Sequence, residues 1–174
     1  MKKLLLVAPL LVATAVALGQ GTVLFSTRNT AAGILAPVYD TDTTTLLVGT
    51  DFKAQLYAGL TEASLAPVGA VADFKTGLLA GYVSAGTQIL SWAGGTTVYV
   101  QMRAWNAPFA SYDAAKAGTG GKWGESNTIQ VKLTEPPAAP ADLVGLQSFH
   151  LIPEPSTIAL CLLGAAALLL RRRS

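Results

Sequence analysis

Residues that could carry out catalysis are few and widely separated in this chain of 174 residues. His150 is the only histidine, whereas a hydrolase triad needs a histidine between a nucleophile and a carboxylate, and a zinc site needs several ligands. Glu125 could be one half of a glycosidase pair, but nothing nominates a second carboxylate as its partner. We therefore expect a protein that is not an enzyme, holds no metal and needs no cofactor.

An acidic stretch has a spacing that faintly resembles a calcium-binding loop. Asp40, Asp42 and Asp51 would supply the carboxylates. Thr45, however, stands where such a loop needs glycine, and no flanking helices are evident. The pattern favours a solvated turn over a metal site.

Two aromatic residues are candidates for contact with a glycan. Tyr99 and Trp105 share one face of a predicted strand with Gln101 and Arg103, and exposed aromatic rings offer amphipathic surface on which a sugar can stack. The alternative is that they pack in the core or beneath a covered second face of the sheet, because large aromatic side chains are usually buried.

The charge of the central part of the chain argues against nucleic-acid binding. Of the twelve basic residues, seven lie between positions 20 and 152, together with nine of the ten acidic residues. Binding to phosphates needs a basic patch, and this mildly acidic region offers none. The single cysteine, Cys161, excludes an intramolecular disulfide, so the domain must be held together by its core.

Apolar and polar residues alternate through residues 20–134, which predicts half-buried strands of antiparallel sheets. The candidate strands cover residues 22–28, 52–58, 97–105 and 127–133. Glycine-rich turns such as Gly94-Gly95 separate them. Helical periodicity is nearly absent, although residues 108–117 could hold one or two helical turns. We expect an all-β domain built as an antiparallel β-sandwich.

A proline-rich stretch follows the predicted sandwich. Residues 135–140 read Glu-Pro-Pro-Ala-Ala-Pro, and proline-rich sequences form extended spacers. We therefore end the domain at Thr134 and assign residues 135–152 to a tether. Phe149 and Leu151 indicate an edge strand as the alternative for the end of this segment.

Residues 1–19 have the parts of a secretory signal peptide. Two lysines form the basic start, an apolar stretch follows, and small residues precede Gln20. We expect signal peptidase to cut between Gly19 and Gln20, with Ala15-Val16-Ala17 as the alternative site. An uncleaved N-terminal membrane anchor is the other interpretation.

Residues 153–174 combine a proline motif, an apolar helix and a basic cluster. Pro153-Glu154-Pro155 favours extended backbone, because proline fixes its own φ and restricts the residue before it. Residues 156–170 carry no charge and would form a transmembrane helix slightly shorter than the ~30 Å hydrocarbon core. Arg171-Arg172-Arg173 would stop transfer and stay in the cytoplasm, which leaves the β domain outside.

This three-part tail resembles the PEP-CTERM sorting signal of Gram-negative bacteria, and the resemblance covers only residues 153–174. It implies that an exosortase, a membrane-embedded processing enzyme, recognises Pro153, Glu154 and Pro155 and cuts near them. The protein would then pass transiently through the inner membrane to the cell surface or the extracellular matrix. A plain C-terminal membrane anchor is the alternative.

We therefore expect a non-catalytic, exported surface or matrix protein, with exopolysaccharide as a candidate contact. Signal peptidase and exosortase are the expected processing partners, and no nucleic acid is expected. An extracellular enzyme acting on polysaccharide is the alternative class. It would need clustered carboxylates or a histidine-based nucleophile, and the sequence has almost none of either.

Overall fold

The structure, a computed structural model, describes residues 19–153. The predicted signal peptide up to position 18, the predicted C-terminal helix and Arg171-Arg172-Arg173 lie outside this range, as do Glu154 and Pro155. Among the described residues, none of the helices has the length and apolarity that crossing a bilayer requires.

Strands make up most of the secondary structure between residues 19 and 153, which confirms the all-β prediction. These strands are β1 (Gln20–Ser26), β2 (Arg28–Asn29), β3 (Ile34–Leu35), β4 (Val38–Tyr39), β5 (Phe52–Gly59), β6 (Ala66–Asp73), β7 (Ser84–Ala93), β8 (Thr97–Asn106), β9 (Lys122–Glu125), β10 (Ile129–Lys132), β11 (Phe149–His150) and β12 (Ile152–Pro153). The helix α1 (Tyr112–Ala117) lies in the segment predicted to hold one or two helical turns. Short 3-10 turns occupy Gly49–Asp51, Glu62–Ser64 and Gly77–Leu79.

The larger sheet is built around β8. On one side, β5 pairs with β8 from Phe52 opposite Asn106 to Gly59 opposite Tyr99, and β6 forms the edge beyond β5. On the other side, β10 pairs with the first half of β8 and β9 with the second half. The two residues of β12 pair with β9 at the opposite edge. Every pairing in this sheet is antiparallel, as the sequence predicts.

Alternation along the strands divides the larger sheet into an inner and an outer face. One face of β8 buries four apolar side chains completely, namely Val98, Val100, Met102 and Ala104. The neighbouring strands β5 and β10 add further buried residues to the same face, namely Ala54, Leu56, Ala58, Ile129 and Val131. Since successive side chains of a strand point to opposite faces, the polar positions between them face outward. The alternation predicted for β5, β8 and β10 is thereby confirmed, whereas β1 buries consecutive residues and shows no such alternation.

A two-stranded sheet of β1 and β7 packs against the inner face of the larger sheet. The two strands are antiparallel, with Val23 opposite Gln88 and Phe25 opposite Gly86. Val23 and Phe25 of β1 and Leu90 of β7 belong to the same buried cluster as the inner residues of β5 and β8. The core therefore lies between residues of both sheets, where full burial of a large apolar side chain contributes about 1.5–3 kcal/mol.

The segment predicted to be a tether differs in the structure. Residues 135–140 form an exposed loop, as proline-rich composition suggests, but the chain then returns to the core. Leu143 and Leu151 are fully buried and Leu146 is nearly so. The amide of Leu24 in β1 donates to the carbonyl of Ala141 at 2.8 Å. The packed unit thus extends past Thr134 to Leu151, because three leucines of this segment complete the hydrophobic cluster.

Candidate functional site

Of the three residues of the predicted proline motif, the structure describes only Pro153, which lies at the edge of the larger sheet. In β12, Ile152 pairs with Trp123 and Pro153 pairs with Lys122. Both residues of β12 are exposed, with Ile152 46% accessible. The start of the motif is therefore a solvent-facing edge strand of the folded domain, and no free linker separates the two.

The residues just before the motif are held firmly by the fold. Phe149 and His150 of β11 pair in parallel with Val38 and Tyr39 of β4. The amide of Leu151 donates to the carbonyl of Tyr39 at 3.0 Å, and the Leu151 side chain is fully buried. We call residues 149–153 the C-terminal clamp, since they join β4 on one side to β9 on the other.

Gly124 of β9 permits the close approach of this clamp. A Cβ atom at position 124 would lie 2.6 Å from the carbonyl oxygen of His150 and 3.2 Å from a side-chain carbon of Leu151. Real Cβ atoms do not approach a backbone oxygen that closely, so any larger residue must displace the clamp. Glycine inside a strand is typical of a place where another backbone comes near.

An ion pair ties the two neighbours of the clamp to each other. Lys122 of β9 donates to both carboxylate oxygens of Asp40, at 2.9 and 2.8 Å, and Asp40 directly follows β4. Both side chains are partly exposed, at 36% and 21%. The pair is therefore worth about 0–1 kcal/mol, but its two bonds fix the position of β4 relative to β9.

The acidic stretch considered for calcium forms a hydrogen-bonded turn. Asp42 accepts from the amides of Thr44 and Thr45 and from the hydroxyl of Thr45. These bonds, led by the Thr45 hydroxyl, lower the pKa of Asp42 to about 2. Asp40 accepts from the amide of Thr41 and from Lys122 of β9, so donors of the protein engage both carboxylates. Within residues 19–153 no cluster of three or more metal-binding side chains is found.

A cleft is lined in part by Lys122, the residue that pairs with Pro153 of the clamp. Its volume is about 530 Å³ and it is open to solvent. The lining residues are Asp51, Phe52, Asn106, Ala107, Pro108 and Lys122. The side-chain amide of Asn106 donates to the carbonyl of Gly120 and accepts from the amide of Lys122. This amide is thus occupied by the protein and keeps the loop before β9 in place.

Trp105, one of the two predicted glycan contacts, is fully buried, which contradicts its predicted role. It does lie on the outer face of β8, as the alternation requires, but α1 and the loop before it cover that end of the strand. Its indole nitrogen donates to the carbonyl of Phe109 at 2.9 Å. Trp105, Tyr57, Tyr112 and Ala115 form a second, smaller hydrophobic cluster. The alternative reading, a covered second sheet face, is the one observed.

Arg103 lies at the centre of this outer cluster. Its guanidinium carbon lies 4.1 Å from the ring centre of Tyr57 and 4.9 Å from that of Tyr112. The Arg103 Nε donates to Gln101 at 2.8 Å and lies 3.7 Å from a carboxylate oxygen of Glu125. The hydroxyl of Tyr112 donates to the same carboxylate oxygen at 3.1 Å. Glu125 is therefore part of a packed aromatic and ionic cluster.

Burial raises the pKa of both tyrosines in this cluster. It raises the pKa of Tyr112 well above its usual 10.0, and the negative charge of Glu125 adds to the effect. Burial also raises the pKa of Tyr57, with the charge of Asp113 acting in the same direction. Both hydroxyls therefore stay protonated at neutral pH.

Tyr99, the other predicted glycan contact, lies at the uncovered end of β8. Its side chain is half-buried, and its hydroxyl bonds to the side-chain amide of Gln130 on β10 at 3.1 Å. Tyr99 as a whole is therefore still partly accessible to solvent. The contact with a glycan stays a prediction for this residue.

The predicted signal-peptidase junction directly precedes β1. Gln20 is the first residue of that strand and pairs with Ala93, while the carbonyl of Gly19 accepts from the amide of Gly94 at 3.1 Å. A cut between Gly19 and Gln20 would leave β1 whole. The cleavage itself stays a prediction.

Comparison with protein families finds one match. Residues 151–173 match the family described as the PEP-CTERM protein-sorting motif, which confirms the resemblance predicted from the sequence. The match begins at Leu151, the buried residue of the clamp, so the motif and the folded domain overlap by three described residues. The chain matches no curated protein and no solved structure.

Proposed function

We propose that this chain, which carries a PEP-CTERM protein-sorting motif at residues 151–173, is a non-catalytic exported protein that an exosortase-type enzyme processes. The motif implies export, processing at the membrane and delivery to the cell surface. The finer proposal is that the enzyme recognises Pro153, Glu154 and Pro155 and cuts near them. These three residues act as substrate, and they carry no catalytic role.

The observation that carries the proposal is the match of residues 151–173, near the C-terminus, to the sorting motif. Its position supports the proposal further, because Ile152 and Pro153, the last residues that the structure describes, form a solvent-exposed strand. A processing enzyme at the membrane would therefore meet the motif directly beside the domain. Arg171-Arg172-Arg173 would stop transfer on the cytoplasmic side, as a basic cluster after an apolar helix does.

For the β domain we infer a β-sandwich that serves as a surface or matrix module. The shared core of the two antiparallel sheets supports this architecture. The accessible part of Tyr99 supports contact with exopolysaccharide, since an aromatic ring beside polar side chains suits a sugar face. Glu125 and His150 support a non-catalytic role, because Glu125 is bonded to Tyr112 and His150 lies on the surface in β11.

The test is expression of the full chain in a host that has an exosortase, beside a variant in which Pro153-Glu154-Pro155 is replaced by three alanines. We expect the wild type to lose its C-terminal tail and to reach the surface or the medium. The variant should stay full-length in the membrane. Mass spectrometry of each cell fraction reports both the size and the location of the product.

The chain offers a matched control in Glu135-Pro136-Pro137, which has the same residue types in the exposed loop. Replacing this triplet by alanines should leave processing intact. If the wild type remains full-length in the membrane, the tail is only an anchor and the proposed function is wrong. Equal processing of the wild type and the Pro153-Glu154-Pro155 variant would exclude the motif as the recognition site.

A further inference from the structure

We propose that the C-terminal clamp, residues 149–153, is a gate on processing: the folded domain withholds the start of the sorting motif, and the clamp must open locally before the enzyme can bind it. This inference rests on the proposed function. It adds that recognition depends on the state of one edge of the domain as well as on the motif itself.

The clamp withholds backbone that a processing enzyme needs. Enzymes that cut a peptide bond generally bind the substrate as an extended strand, with main-chain bonds along one edge and pockets for alternate side chains. In the folded domain, β12 already pairs with β9 through Ile152 and Pro153. The amide of Leu151 is taken by the carbonyl of Tyr39. An enzyme can therefore pair with the backbone edge of β12 that faces β9, or with the amide of Leu151, only by replacing the domain's own partners.

The same contacts show where the gate is strong and where it is weak. Leu151 is fully buried and anchors the clamp. Beyond it, the part of β12 that the structure describes is two residues, both exposed, and Pro153 has no amide hydrogen to donate. Edge segments with few buried contacts open at a small fraction of the free energy of global unfolding. Opening should thus proceed from Pro153 toward Leu151 while the rest of the domain stays folded.

Gly124 and the Lys122–Asp40 pair define the groove in which the clamp lies. The pair holds β9 near β4, and the missing side chain at position 124 leaves room for His150 and Leu151. Enlarging position 124 forces the clamp outward without altering the motif. A substitution in β9, the strand that pairs with β12, can therefore shift the clamp between its closed and open states.

A reversible cross-link tests the gate. In the full chain with Cys161→Ala, the substitutions Trp123→Cys and Ile152→Cys place two cysteines at paired positions of β9 and β12. The protein is produced in the exosortase host, and the fraction processed is measured by mass with the cross-link oxidised and after reduction. We expect processing to fall about tenfold or more when the cross-link is closed, because the binding-competent open state is removed. Reduction should restore it.

A second variant needs no cysteine. Gly124→Ala should raise the rate of processing several-fold, because it displaces the clamp, and circular dichroism should show that the β domain is still folded. Equal processing of the oxidised and reduced double-cysteine protein would overturn the proposal, as would an unchanged or slower rate in folded Gly124→Ala. If the wild type is not processed in this host, the proposed function fails, and the gate with it.

Discussion

The protonation of the Tyr112 hydroxyl affects the stability of the outer cluster, which contains Trp105, Tyr57, Tyr112 and Ala115. Its hydroxyl donates to Glu125, its ring packs edge-on against Tyr57 and Trp123, and Arg103 lies above it. Ionising this hydroxyl would place a negative charge beside a carboxylate in a buried site. The folded state therefore binds the phenolic proton more tightly than the unfolded state does.

This difference predicts a loss of stability in alkali. A group with a raised folded pKa stabilises the protein fully below its unfolded pKa, here 10.0, and loses that contribution as the pH rises further. Urea unfolding of residues 20–153 should show a decrease in unfolding free energy between about pH 8 and about pH 11 that is smaller in Tyr112→Phe. At the lower pH the variant should lose about 1 kcal/mol with its hydrogen bond. Equal slopes in the two proteins would contradict the assignment.

Tyr99 carries the prediction about glycan contact. Tyr99→Ala should weaken retention of the folded chain on exopolysaccharide from its own host by a factor of about five to ten, as expected for loss of one partly exposed stacking aromatic. Tyr82→Ala, which removes a half-buried tyrosine outside β8, is the matched control. Equal retention of both variants and the wild type would exclude this face as the contact. Sugar released from the polymer would instead support the enzymatic alternative.

At the scale of elements, the length of a strand affects whether the alternation of apolar and polar residues can be recognised in its sequence. β5 and β8 have eight and ten residues, long enough for the period of two to show. β11 and β12 have two residues each, and a pattern cannot be recognised in two positions. β6 is mostly exposed and consists largely of small apolar residues, so it lacks the contrast between faces. The sequence indicated only an edge strand near Phe149 and Leu151, as an alternative, because tertiary pairing more than local pattern forms these strands.

The segment after the proline-rich loop should prove essential for folding. A chain of residues 20–134 lacks Leu143, Leu146 and Leu151, each of which contributes about 1.5–3 kcal/mol when buried. Since small domains are stable by only about 5–15 kcal/mol in total, this chain should be largely unfolded, whereas residues 20–153 should unfold cooperatively. Circular dichroism and urea unfolding of the two chains will compare them. A cooperative transition of similar free energy in the shorter chain would show that the domain does end at Thr134.

At the scale of the whole molecule, the sorting tail and the β domain differed in how far they could be predicted. The tail could be predicted because its motif is local: Pro153, Glu154, Pro155 and the terminal arginines are recognisable without any fold. The gate was missed because its parts are far apart in sequence, with Asp40 and Lys122 separated by 82 positions. Gly124 lies outside every strand predicted from the sequence, so no local pattern indicated its close approach to His150. For Trp105 the sequence left both glycan contact and burial open, because alternation gives the face of a strand but not what covers that face.

The pairing of β1 with the last part of the domain has a consequence for the order of events during translocation. The amide of Thr22 donates to Thr134 at 2.7 Å and that of Leu24 to Ala141 at 2.8 Å, so the first strand to emerge from the translocon waits for partners more than a hundred residues behind it. Contacts of such long sequence separation form late and slowly. The pairing of β1 with β7 can form earlier, but the core is completed by Leu143, Leu146 and Leu151, which are translocated just before the rest of the sorting motif. The domain is thus completed at about the time when its sorting motif reaches the membrane. A chain that stalls midway through export has neither a complete domain nor a motif that the processing enzyme can reach.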